Sequence, residues 1–414
     1  MDILRDARTI IDEAIRAVLP DAAVRRALEH CAVSPGAIIV AVGKAAWRMA
    51  NAAHDTLEGK VRAGLVITKY GHSEGPIGPM EIVEAGHPIP DANSIRGAEK
   101  ALALVSGLTE TDHVIFLISG GGSALFELPL PGVTLNDIQS VTSRLLTCGA
   151  DIVEMNTIRK RLSGVKGGRF GQACAPAHVL TIALSDVLGD APDAIASGPA
   201  AADMSTCADA LAILNKYDID LPDRMLNHIR RETPKSMEHV HTETVGNVSR
   251  LCETATCVAE RLGYRPLLLT TTLDSEARDA GMFLASIVRE IVRSGQPVKP
   301  PCAVVLGGEV VVHVRGTGRG GRNQEFALAA AKGIDGLENV AIFSVGSDGT
   351  DGPTDAAGGI VTGDFAARCR AAGLSIDTYL ANNDAYAILS DMDGLIITGP
   401  TGTNVNDLAV ALVA

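Results

Sequence analysis

Several stretches of this chain concentrate glycine beside hydroxyl, cationic or carboxylate side chains, each just after a short apolar run. In Ile115-Phe-Leu-Ile-Ser119-Gly120-Gly121-Gly122-Ser123 three glycines stand between two serines. With no Cβ in the way, the N–H groups of Gly120, Gly121 and Gly122 can close on phosphate or carboxylate oxygens. The Gly-Lys-Ser/Thr end of a Walker loop is missing, and a plain strand-to-helix turn is the competing reading. Ile39-Val-Ala-Val-Gly43-Lys44 puts a lysine where a strand ends and a helix opens, a place that favours anions; a solvated surface lysine is the alternative. Leu162-Ser-Gly-Val-Lys166-Gly-Gly-Arg169, with Arg161 before it, offers cations that grip a phosphate, or a helix cap at Gly167. Ser185-Asp186-Val-Leu-Gly-Asp190 places two carboxylates after another apolar run, suited to binding magnesium or accepting a hydroxyl proton, unless Asp186 only caps a helix.

The densest cluster comes later, as Gly307-Gly-Glu309, Arg315-Gly-Thr-Gly-Arg319-Gly-Gly-Arg322-Asn-Gln-Glu325 and Ser347-Asp348-Gly-Thr-Asp351-Gly-Pro-Thr-Asp355. Gly316-x-Gly318-x-x-Gly321 matches the dinucleotide fingerprint literally. Against that reading, Val310 to Val314 looks like part of a strand pair rather than the first strand of a dinucleotide fold, and Arg319 and Arg322 suit a more strongly anionic ligand. Three aspartates within eight residues also fit magnesium better than one ribose contact. Phosphoryl transfer is therefore the preferred chemistry here. Near the end, Thr398-Gly-Pro-Thr-Gly-Thr-Asn404-Val-Asn406-Asp407, preceded by Asn382-Asn-Asp384, can meet hydroxyl groups of a ligand or form Asx turns that shape the site.

Such groups need strands to carry them. Ala37–Val42, Gly64–Thr68, His113–Ile118, Val179–Leu184, Pro266–Leu269, Ala303–Leu306, Val340–Val345 and Gly394–Thr398 read as buried strands. Helical patterns lie between them at Ala45–Leu57, Ser94–Leu104, Ala277–Ser294 and Asn323–Lys332. This alternation predicts an α/β chain of two domains with mainly parallel sheets and sites at strand C-terminal ends. A chain that is 46% hydrophobic but only 3% aromatic agrees, since its cores must be built from Ala, Val, Leu and Ile. The boundaries expected are 1–250, a Rossmann-like N-terminal domain; 251–299, a connecting strand and helix; and 300–414, a smaller C-terminal domain. The polar stretch Asp203–Ser249 reads as a helical hairpin or connector.

A net charge of −13 argues against nucleic acid as partner. The amphipathic first helix is no signal peptide, and no apolar run spans a bilayer, so a cytoplasmic protein with no membrane partner is expected. Eight dispersed cysteines read as reduced thiols, and ten scattered histidines lack zinc-site spacing.

Taken together, Val42-Gly-Lys44-Ala-Ala, Gly86-His-Pro-Ile-Pro-Asp91, Ser119-Gly-Gly-Gly-Ser123, Ser163-Gly-Val-Lys-Gly-Gly168, Ser185-Asp-Val-Leu-Gly-Asp190, Gly320-Gly-Arg-Asn-Gln-Glu325, Ser347-Asp-Gly-Thr-Asp-Gly352 and Thr401-Gly-Thr-Asn-Val-Asn-Asp407 resemble, in order and over nearly the whole chain, the glycerate 2-kinase family. Residues beyond about 300 resemble its C-terminal MOFRL segment. The resemblance implies ATP-dependent phosphorylation of D-glycerate at the 2-hydroxyl, in a cleft between two α/β domains, with Lys44 and Arg322 at the catalytic centre. Relatives also carry the label hydroxypyruvate reductase, an NAD(P)H-dependent activity that the glycine fingerprint raises as the alternative. A homodimer is the one assembly entertained.

Phosphoryl transfer asks a protein to align and to neutralise charge. On that basis Arg322 and Lys44 would stabilise the transferring phosphoryl group and the substrate carboxylate, and Asp186 or Asp190 would serve as base or metal group. Asp348 and Asp351 would hold magnesium. Ser119, Gly120, Gly121, Gly122, Ser123 and Lys166, with Asp190, Glu309 and Asn404, would meet ATP or substrate.

Overall fold

In the computed structural model, which describes residues 2–29, 31, 33–185 and 191–414, the apolar runs become strands of two six-stranded sheets. The first contains β1 (Ala37–Val42), β2 (Val61–Lys69), β3 (Met80–Ala85), β4 (His113–Ile118), β5 (His178–Leu184) and β6 (Val240–Gly246), in the order β3-β2-β1-β4-β5-β6. β2 runs parallel to β1 and β3, and β4 parallel to β1 and β5. Every residue of β1 is buried, because helices cover both faces. Ile39 and Ala41 pack in one apolar layer, under the helices Pro20–Glu29 and Ala46–Leu57; Ile38, Val40 and Val42 pack in the other, under Ala92–Leu104. Strand order reverses between β1 and β4, so the loops leaving their C-terminal ends diverge and open a crevice there.

The second sheet contains β7 (Arg265–Leu273), β8 (Cys302–Gly308), β9 (Val340–Gly346), β10 (Gly358–Thr362), β11 (Leu395–Ile396) and β12 (Asp407–Val413), ordered β11-β10-β9-β12-β8-β7. β7 and β8 are parallel, β12 is antiparallel to both β8 and β9, and β10 is antiparallel to β9 and β11. Four strands thus share a direction, with β10 and β12 reversed. The reversal matters for chemistry. Asp407, the first residue of β12, pairs in register with Gly308 and Gly346, the last residues of β8 and β9, so a carboxylate that opens one strand lies where two others end.

The expected boundaries 1–250, 251–299 and 300–414 need correction. The chain divides into Pro20–Val245 and a second unit made of Met1–Leu19 with Gly246–Ala414. Residues 251–299 are no connector: they supply β7 and the helix Ala277–Ser294, whose Leu284, Val288 and Ile291 enter the second core. The N-terminal helix Ile3–Ala17 joins this unit through Tyr264, whose hydroxyl donates to Asp6 at 2.8 Å, and through Thr403, whose hydroxyl donates to Val18 O at 2.9 Å. The stretch Asp203–Ser249 does hold two helices, Cys207–Lys216 and Asp223–Ile229, but it ends in β6. Gly394–Thr398 shrinks to the two residues of β11. Val310–Val314 is not a strand; it makes one isolated bridge, between Glu276 and Val311.

Candidate functional site

In the first unit, the loops after β1 and β4 are tied to each other where the strand order reverses. Lys44 N donates to Gly120 O at 2.9 Å, Ser119 N to Val42 O at 3.0 Å and Ala45 N to Ser119 Oγ at 3.1 Å. A Cβ added at Gly43, where φ is +128°, would stand 2.1 Å from Ser119 Oγ, so only glycine permits this approach. Ser119 is buried and serves as the latch, which corrects its expected role as a ligand group. The Gly122 N–H turns back to Ser119 O at 3.3 Å, which corrects the expectation of three open donors. The N–H groups of Gly120 and Gly121 have no acceptor among the described residues. Ser123 Oγ lies 2.9 Å from Ser197 Oγ, and Arg159 donates to Ser123 O at 3.0 Å. The Lys44 ammonium has neither a hydrogen bond nor an ion pair among the described residues.

The cations of the 161–169 loop are differently placed. Lys166 is wholly buried, 2.7 Å from Glu127 Oε2 and donating to Phe126 O at 2.7 Å. Burial pushes its ammonium down to about 8, opposed by the Glu127 carboxylate. Arg161, also buried, lies 3.7 Å from Asp203 and 3.5 Å from Glu232. The N–H groups of Gly167 and Gly168 go to Ser197 O and Gly198 O. The expected phosphate-gripping loop is thus corrected: Lys166 and Arg161 face the interior carboxylates Glu127 and Asp203, Arg169 donates to Lys160 O, and the N–H groups of Gly167 and Gly168 are committed. Asp186 and Asp190 lie outside the described residues.

In the second unit, Arg322 opens the helix Arg322–Gly333 and is held from two sides. Its Nη1 is 2.9 Å from Glu309 Oε1, just after β8; its Nη2 donates to Asp407 Oδ1 at 3.1 Å, and its Nε lies 2.7 Å from Asp407 Oδ2. The Arg322 side chain remains one-third exposed, at the wall of a 690 Å³ pocket also lined by Asp348, Thr350, Gly320 and Gly321. Burial works against its charge, but Asp407 and Glu309 hold its pKa above the ordinary arginine value. Asp407 is nearly enclosed, and burial pushes its carboxyl up to about 6 although Arg322 and Asn323 pull it down. Glu309, expected to meet the cofactor, is instead half of this clamp.

Asp351 is also corrected. Its carboxylate accepts the backbone N–H groups of Asn323 at 3.1 Å and Gln324 at 2.9 Å, and both of their side-chain amides. It therefore caps the helix that carries Arg322, supplying from another loop the acceptor that Gly321 at the N-cap lacks. Burial raises its pKa, opposed by those donors. A carboxylate so occupied has little left for a metal. Asp348 lines the pocket and accepts one N–H, from Thr350, at 3.0 Å. No group of three His, Cys, Asp or Glu that could hold a metal occurs among the described residues. Magnesium, which keeps most of its waters and binds through one or two carboxylates plus phosphates, still fits a single carboxylate of this kind. Asn404 receives the N–H of Asn406 at 3.4 Å, and its loop is bound to Ser347 and Asp348 through Thr401 and Val405, as an Asx-turn network does.

The glycine fingerprint has a different use. The N–H groups of Arg315 and Gly316 donate to Asn383 Oδ1, that of Thr317 to Asn382 Oδ1, that of Gly318 to Asn382 O and that of Arg319 to Asp384 Oδ1. Five consecutive donors face another loop of the protein, whereas a pyrophosphate site needs them facing a ligand. An added Cβ would fall 2.2 Å from Asn382 O at Gly316, 2.3 Å from Asp384 Cβ at Gly318 and 2.2 Å from Asp351 Cγ at Gly321. These glycines permit close packing of loops.

Residues 6–230 match a family described as a domain of unknown function, DUF4147, and residues 302–407 match the MOFRL family. The chain is 53% identical over 404 residues to the D-glycerate 2-kinase of Thermotoga maritima, covering 98% of this chain and 97% of that protein. It belongs to the glycerate 2-kinase family. A crystal structure of glycerate kinase from the same organism superposes with a TM-score of 0.97 over 99% of both chains. A protein of Agrobacterium vitis named putative hydroxypyruvate reductase is also similar, at 41% identity over 98% of this chain and 93% of its own. Members of this kinase family use a nucleotide, and no helix among the described residues is long and apolar enough to cross a membrane.

Sequence reasoning did not single out Asp407, Asn323 or Arg159 as site residues. Asp407 stood in a quoted motif, but its importance depends on β12 being the strand inserted between β8 and β9, and Ala-Val-Ala-Leu-Val gives no period that fixes this.

Proposed function

We propose that this protein transfers a phosphoryl group from ATP to the 2-hydroxyl of D-glycerate, giving 2-phosphoglycerate and ADP. The observation that carries this reading is the full-length likeness to a protein named D-glycerate 2-kinase. The geometry supports it: Lys44 lacks a carboxylate partner beside the open N–H groups of Gly120 and Gly121, and Arg322 is fixed with one-third of its side chain exposed at a pocket wall. In this reading Lys44 and the loop after β4 hold anionic oxygens of the substrates, and Arg322 offsets charge on the phosphoryl group during transfer. Glu309 and Asp407 keep its guanidinium in one orientation. Magnesium, held by Asp348 together with the nucleotide's phosphates, would supply further neutralisation. The reductase reading finds no support in the 315–319 loop, whose donors are committed elsewhere.

ADP release in a coupled assay tests this. It should require D-glycerate and ATP together, and Arg322→Ala and Lys44→Met should each lower kcat/KM at least about a thousandfold, Lys44→Met with melting temperature unchanged and Arg322→Ala with a lower one, because it strands the enclosed Asp407. Near-normal turnover in either variant would remove that residue from the mechanism.

A further inference from the structure

The Gly86-His-Pro-Ile-Pro-Asp91 motif follows β3 and carries His87 to the loop after β4. A Cβ built on Gly121 would stand 3.1 Å from His87 Cδ2, 3.2 Å from His87 Nε2 and 3.1 Å from Lys44 Cγ. The imidazole and the lysine therefore flank one glycine, in the space its missing side chain leaves. Neither the ring of His87 nor the ammonium of Lys44 has a hydrogen-bond partner among the described residues. A half-buried ring left unpaired by the protein in this way is open to a partner from outside the chain.

The two groups differ in what they can bind. Lys44 can only donate, so it takes an anionic oxygen. A neutral imidazole has one acceptor nitrogen, which can receive an O–H. Burial, then the charges of Lys44, Lys69 and His72, push His87 down to about 4, so at neutral pH that nitrogen is available. A donor for an anion beside an acceptor for a hydroxyl is the complement of a hydroxy-carboxylate.

We propose that His87 contacts the acceptor substrate, receiving a hydrogen bond from the hydroxyl adjacent to the carboxylate that Lys44 holds. This rests on the hydroxy-acid reading given above, and it assigns the substrate's hydroxyl and carboxylate to the first unit. Its consequence is selectivity: the wild-type protein should distinguish a 2-hydroxy acid from the same acid without the hydroxyl, and should do so through His87.

The test needs no turnover. Calorimetry or competition binding, without ATP, compares D-lactate with propionate on wild type, His87→Ala and His87→Asn. Wild type should prefer D-lactate about tenfold, the worth of one hydrogen bond. His87→Ala should bring the ratio to about one, and His87→Asn, which keeps an acceptor oxygen, should restore part of it; equal melting temperatures exclude misfolding. An unchanged ratio in His87→Ala, or no preference in wild type, overturns the proposal. Formation of 2-phosphoglycerate is scored separately on wild type, so the kinase reading and the His87 assignment can fail independently.

Discussion

Lys44 and Lys166 both stand in glycine-containing loops, yet only Lys166 has a carboxylate within reach, and that contact separates a structural cation from a chemical one. Removing the Lys166 ammonium leaves Glu127 charged and enclosed, which costs about 3–5 kcal/mol. Lys166→Met should therefore lower unfolding free energy by about that much in urea titrations, whereas Lys44→Met should change it by less than about 0.5 kcal/mol. The reverse ranking would refute the sorting. Glu127 and Asp203 are what the sequence concealed here: each lies about 40 residues from the cation it neutralises, and spacing along the chain says nothing of such pairs. Asp407 invites a second test. Its folded pKa of about 6 lies above the unfolded value near 3.8, so this carboxyl favours the fold below about pH 4, and that contribution is lost as pH rises through about 6. The stability of wild type relative to Asp407→Asn should fall across that window. Activity should move oppositely: kcat/KM should drop as pH falls through about 6, when Arg322 loses its enclosed counter-charge, and Asp407→Asn should lack that limb. A difference in stability that stays flat from pH 4 to 6 would sink the assignment.

At the level of elements, the helix Arg322–Gly333 holds the second site together. Its residues 323–331 are all buried: Phe326 to Ala331 are apolar and pack in the core, while Asn323, Gln324 and Glu325 in the first turn are buried with hydrogen-bond partners. Among the described residues, the N–H groups of Asn323 and Gln324 in its first turn are capped by Asp351. Asp351→Ala strands the N–H groups of Asn323 and Gln324 and should cost on the order of 2–4 kcal/mol, with a fall in kcat from the displaced Arg322; denaturant unfolding checks the first and initial rates the second. Unchanged stability would return Asp351 to the list of metal ligands. The helix itself was legible to within one residue at each end, as was Ala277–Ser294, because their apolar patterns are long. β12 was not, nor was β3, where Glu81 and Glu84 interrupt the apolar pattern in a strand at the sheet's edge. Val310–Val314 misled in the opposite sense: its valines line a pocket wall instead of a sheet.

For the whole molecule, two α/β units followed from the alternation of apolar runs and helical patterns. The route of the chain did not. An amphipathic first helix announces that one of its faces is buried, but not against which sheet, and Met1–Leu19 packs with residues some 245 positions away. An overall charge of −13 is compatible with the proposed roles of Lys44 and Arg322, since those cations would act over a few ångströms and bulk charge is screened beyond about 8 Å at physiological salt. The measurement that bears most directly on the account is product identification. Purified protein is incubated with D-glycerate, ATP and magnesium, in parallel with hydroxypyruvate and NADH or NADPH, and followed by phosphorus NMR and absorbance. The account predicts a 2-phosphoglycerate resonance and no cofactor oxidation; oxidation of the nicotinamide without ATP consumption would contradict it.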